Sequence, residues 1–67
     1  MLNMEKDGYK ILLREHPSAV GFVIETHGLN QNRTTTRTEY ADAHRVAKQW
    51  SALYGLWIHD GITKNVY

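Results

Sequence analysis

The chain has 67 residues, eight Lys plus Arg against seven Asp plus Glu, a formal net charge of +1 and no cysteine. That length suits one domain over residues 1–67 with a modest core, since a chain of about 60 residues buries only roughly 60% of the surface its unfolded form exposes. The missing cysteines exclude disulfides and thiolate zinc sites, and the near-zero charge argues against a dedicated DNA-binding domain, whose affinity rests on neutralising phosphates.

The opening "MLNMEKDGYK" lacks a continuous apolar stretch and carries Glu5 and Asp7, so it does not read as a signal peptide. Residues 1–7 are expected to form a flexible tail. No apolar run approaches the roughly 20 residues that span a bilayer. Together with the absence of cysteine, this points to a reducing, cytoplasmic setting without a membrane. The sequon at Asn32 reads as chance in that setting.

"YKILLRE", Tyr9 to Glu15, alternates with a period of two and predicts a strand. "HPSA" predicts a turn with Pro17 at its second position. "VGFVIET", Val20 to Thr26, is rich in β-branched residues and predicts a second strand, paired with the first as a hairpin. Gly28, Asn30 and Asn32 then favour a loop. "TTTRT" is β-branched at nearly every position and suits an edge strand, with Arg33 and Arg37 blunting that edge against other chains. Thr36 and Glu39 match the spacing of a capping box, with Thr38 as a competing cap.

From there Tyr40, Ala43, Ala47, Trp50 and Tyr54 recur at spacings of 3, 4, 3 and 4, widened by Val46 and Leu53 into an apolar helix face. Gly55 stands where a C-cap glycine ends a helix. "LWIHDGITKNVY" contains two short β-like runs around Asp60-Gly61, the signal for a tight hairpin. The expected order is β-β-(β)-α-β-(β): a two-layer α+β domain with an antiparallel sheet of three to five strands and one helix on one face.

Strand parity carries this towards function. Tyr9, Ile11, Leu13, Val20, Phe22, Ile24, Leu56 and Ile58 are expected to face the helix. Lys10, Leu12, Arg14, Val23, Glu25, Trp57 and His59 fall on the opposite face, which one helix cannot cover. Trp and Arg are enriched at interaction hot spots, so Trp57, Leu12, Val23 and Arg14 are candidate partner contacts, with Arg33 and Arg37 extending the surface. The competing readings are a homodimer contact, ordinary exposure, or a Trp57 folded over the sheet edge. Nucleic-acid binding through Arg33, Arg37, Lys10 and Arg14 is the alternative function, opposed by Glu25, Glu39 and Asp42 in the same neighbourhood.

Catalysis finds little footing. His16, His27, His44 and His59 show no metal-ligand spacing, and His59 and Asp60 are adjacent, which on a strand directs them to opposite faces. Ser18 and Ser51 lack a nucleophile context, and the glycines form no phosphate-binding loop. The expectation is a protein without enzymatic activity, metal or cofactor.

The run "TEYADAHRVAKQWSALYGLWIHDG" is similar to the helix-and-return-strand half of several small ββαβ proteins, with Thr38, Ala43, Ala47, Gly55 and Ile58 carrying the pattern. Such proteins include bacterial chains of unassigned role and phage-encoded accessory proteins that bind and block host machinery. The resemblance covers under half the chain and implies a non-enzymatic inhibitor acting by surface occlusion. It carries over no functional residue.

Overall fold

A computed structural model describes residues 9–67, and the expected tail at residues 1–7 lies outside them. Five strands and one helix follow in the order β1 (Lys10–Glu15), β2 (Phe22–His27), β3 (Thr34–Arg37), α1 (Tyr40–Tyr54), β4 (Ile58–Asp60) and β5 (Asn65–Val66). They form one five-stranded sheet in the order β3-β2-β1-β4-β5, with α1 packed on one face, so the α+β class is as expected. The pairs β1–β2, β2–β3 and β4–β5 are antiparallel, whereas β1–β4 is parallel. The sheet is therefore mixed. The parallel pair follows from the connection: α1 carries the chain from the β3 edge back across β2 and β1, and β4 then runs alongside β1.

Alternation in β1 sends Ile11 and Leu13 into the core, where they meet Ile24, Ile58 and Leu56 from the sheet layer and Ala43, Val46, Ala47 and Trp50 from the helix. Small alanines let the helix approach the sheet closely, and Trp50 fills the space towards its end. Gly55 ends the helix in the left-handed conformation at φ 69°, and its N–H donates to the Ser51 carbonyl at 2.8 Å. Leu53 departs from the expected stripe and faces solvent, as does Tyr9.

Three further expectations are corrected. Val20 is 89% exposed, because the chain does not enter β2 until Phe22. Gly21 makes the bend into the strand at φ 129°, so Val20 belongs to the turn. The capping box does not form: Glu39 is the N-cap residue and makes no side-chain cap bond. Thr36 is held in β3 opposite Val23, too far back to cap a helix that starts at Tyr40. The return hairpin is looser than an Asp-Gly turn implies, since Asp60 pairs with Asn65 across four intervening residues, with Lys64 at φ 65°.

Gly21 is required twice over. A Cβ there would lie 2.8 Å from the Arg37 carbonyl oxygen, and its φ is one that L side chains rarely adopt. Gly21→Ala is expected to cost about 1–3 kcal/mol by urea denaturation and to loosen the β2–β3 junction first. A loss within measurement error would show that the junction gives way freely.

Candidate protein-binding face

The register sorts side chains between the layers without ambiguity. Ile11 opposite Thr26 and Ile58, and Leu13 opposite Ile24 and Asp60, lie on the helix side. Lys10 opposite His27, Leu12 between Glu25 and His59, and Arg14 opposite Val23 lie on the other. Thr34 and Thr36 of β3 and Val66 of β5 complete that second face. No second helix or strand layer covers it among the described residues.

A charged network occupies its middle. Arg14 Nε donates to Glu25 Oε2 at 3.2 Å, its Nη2 bonds the same oxygen, and His27 Nε2 donates to Oε1 at 2.9 Å. Burial works against the ionised Glu25 carboxyl, but the Arg14 and His27 bonds together outweigh it and hold its pKa below the usual range. Beside the network, Val23 is only 4% exposed, flanked by Arg14 and Thr36. Leu12 is half-buried and lies diagonal to Val23 across the β1–β2 pair, so the two form one apolar strip.

Of the candidate contacts, Leu12 and Arg14 stand together on this face, Val23 is corrected because its neighbours cover it and leave it no surface for a partner, and Trp57 stands apart at the helix end. It precedes β4 and is 40% exposed, lining a shallow depression of about 290 Å³ with Ser51, Gly55, Leu56 and Tyr67 where the helix ends. A second depression of about 260 Å³ opens beside β4 and β5, lined by Leu12, His59, Lys64 and Val66 among others. His59 Nε2 is buried there without a hydrogen-bond partner among the described residues.

Arg33 and Arg37 do not extend this face. Arg37 lies opposite Phe22, and the Thr26 N–H bonds the Arg33 carbonyl at 2.9 Å, which places both arginines with the helix-side residues. Arg33 stacks over the Trp50 ring at 5.1 Å and donates to the Tyr54 hydroxyl at 2.9 Å. The four basic residues of the nucleic-acid alternative are therefore split between two sides of the sheet, and Arg14 is already paired with Glu25. Sequence reasoning missed His27 and Val66 as members of the open face. For His27 a signal existed, since it follows Glu25 by two residues in the same alternation.

The chemistry-bearing cluster on the helix side is a clamp. The Asp60 carboxylate, 2% exposed, accepts from Ile62 N–H at 2.9 Å and Thr63 N–H at 3.1 Å on Oδ1, and from the Tyr40 and Tyr67 hydroxyls on Oδ2. Donation to Asp60, with burial, raises the Tyr40 pKa. Burial first, and then donation to Asp60, raises Tyr67. Both phenols thus remain protonated donors at neutral pH. His44 stacks on Tyr40 with ring centroids 5.7 Å apart and lies 5.6 Å from the Tyr67 ring. Every group is oriented towards holding α1 to β4 and β5, and no open position remains at the carboxylate.

No protein-family model matches the chain, and no curated protein or solved structure matches it. The functional reading therefore rests on these surfaces. Among the described residues no group of three or more His, Asp or Glu side chains is placed to hold a metal ion, and no helix is long and apolar enough to cross a membrane.

Proposed function

We propose that this chain is a small non-enzymatic protein-binding module, an inhibitor or regulator of the mobile-element accessory type that covers part of a host protein's surface. One observation carries the reading: the sheet face opposite α1 has no second layer among the described residues, yet it combines half-buried Leu12 and exposed Val66 with an ordered charged network, while exposed Trp57 stands nearby at the end of the helix. Pre-ordered charges cost little further side-chain entropy on binding, and an exposed Trp is of the residue type enriched at interaction hot spots.

The test is capture by the tagged chain from lysate, with and without nuclease, with the captured protein then titrated against variants. Trp57→Ala is expected to weaken the retained complex by roughly 30-fold or more, as loss of a hot-spot residue does, while unfolding stays cooperative. Trp57 lies outside the buried core cluster and is 40% exposed, so its loss is expected to leave the core intact. Unfolding of Trp57→Ala would place it in the core and remove it from the binding surface. Retention that disappears with nuclease and falls steeply with salt would move the function to nucleic acid.

A further inference from the structure

The edge of β3, unpaired among the described residues, carries a second surface, independent of the open face. In the β2–β3 ladder Thr26 bonds Arg33, so alternation assigns the inward backbone bonds to Arg33, Thr35 and Arg37. The N–H and C=O groups of Thr34 and Thr36 therefore point away from the sheet. The Thr36 carbonyl confirms this, since it accepts a bond from Arg37 Nη1 at 2.6 Å in place of a strand partner. Arg37 also donates to Thr35 Oγ1 at 2.8 Å, which folds its guanidinium over the strand edge. Arg33 lies at the other end, on the same helix-side row.

Neither arginine has a carboxylate partner among the described residues, whose ion pairs are Arg14–Glu25, His27–Glu25 and Arg45–Asp42. The edge therefore presents two outward backbone donor–acceptor pairs between two cations without a carboxylate partner among the described residues, Arg37 folded over the strand and Arg33 resting on Trp50 and Tyr54. Arg33 and Arg37 are four residues apart on a strand, about 13 Å at 3.3 Å per residue.

We infer that the β3 edge is a docking site for an acidic, extended peptide segment of another protein, which adds as a sixth strand and places carboxylates four residues apart opposite Arg33 and Arg37. Backbone pairing supplies the affinity in this mode of recognition, and the side-chain row supplies the selectivity. Binding exchanges the Arg37–Thr36 bond for a peptide N–H on the carbonyl and a carboxylate on the guanidinium, so in the free protein Arg37 guards the edge. Two other occupants fit less well. A second copy that brings Thr34 opposite Thr36 sets Arg33 against Arg37 at both ends, and like charges directly opposite are unfavourable. A nucleic-acid phosphate satisfies the arginines and the N–H groups but cannot donate to the Thr36 carbonyl.

The experiment is fluorescence anisotropy with the whole chain and a labelled, end-blocked peptide carrying two glutamates four apart and alternating threonine and valine between them. The expected result is saturable binding by the glutamate peptide, with none by its lysine counterpart. N-methylation at the edge-facing residues is expected to abolish binding, and N-methylation at the alternate residues to leave it intact. Arg37→Glu is expected to weaken it at least 10-fold, and Trp57→Ala to leave it unchanged, so the edge and the open face are judged separately. Because the methylated probes alter only the peptide, they decide the matter even where an edge variant fails to fold. Equal binding of all the peptides would overturn the inference. So would a single-stranded oligonucleotide that binds more tightly than the glutamate peptide, or self-association of the chain at the concentrations used.

Discussion

Asp60→Ala is expected to lower the unfolding free energy by about 2–3 kcal/mol, because one substitution removes the acceptor for four hydrogen bonds and leaves half-buried donors unpaired. A domain of this length has about 3–10 kcal/mol in all, so the loss is a large fraction of it. Asp60→Asn keeps the shape but turns an amide donor or a weaker acceptor towards the Tyr40 and Tyr67 hydroxyls, and a smaller loss of about 1–2 kcal/mol is expected. The measurement is urea denaturation followed by Trp fluorescence, with buried Trp50 as the reporter.

The same carboxylate sets an acid limit. Burial disfavours its charge, but the Tyr40, Thr63, Ile62 and Tyr67 bonds together outweigh burial and hold its pKa below the usual range. A carboxyl whose folded pKa is depressed contributes stability that is fully present above its unfolded pKa, about 4, and is lost as pH falls through the folded value. Glu25 is shifted in the same direction. Stability is therefore expected to be level near neutral pH and to fall below about pH 4, with part of that slope removed in Asp60→Asn and the rest belonging to Glu25. A slope identical in Asp60→Asn and the parent would show that the clamp does not depend on the ionised form.

The second large effect is Leu13→Ala, expected to cost about 2–5 kcal/mol, a large share of the whole stability. Leu13 is fully buried on the central strand, between Ile24 of β2 and Asp60 of β4. Leu12→Ala is the internal control. One residue away it points to the open face, where it is only half-buried, and a cost of about 1 kcal/mol is expected. Equal costs at the two positions would mean that both faces of the sheet are buried, leaving no open surface to bind anything.

The two interaction surfaces have different physical origins. The open face exists because one 15-residue helix covers one side of a five-stranded sheet. The β3 edge exists because the chain leaves the sheet for α1 after Arg37 and, among the described residues, adds its later strands at the other side of the sheet. A partner on the face meets side chains, and a strand on the edge meets backbone. Substitution at Trp57 and N-methylation of the edge peptide separate the two for that reason.

The strand over Lys10–Glu15, the helix over Tyr40–Tyr54 and its Gly55 cap were legible in the sequence, because period-two and period-3.6 alternation and a left-handed glycine are local properties. The division between Ile11 and Leu13 on one side and Leu12 and Arg14 on the other follows from that same alternation. It required no knowledge of what lies opposite. Tertiary structure alone decided which strands are neighbours. β4 lies parallel to β1 because the helix crosses two strands, and no residue of Ile58–Asp60 encodes that partner by itself. The same holds for Thr36, whose capping signature lost to its pairing with Val23, and for Arg33, drawn to Trp50 on the helix side. Asp60 reads locally as a turn residue and becomes a buried clamp only when Tyr40 and Tyr67 converge on it from 20 residues before and seven after. Backbone periodicity is set within a few residues, whereas pairing, register and the partners of a buried charge depend on which distant segments pack together.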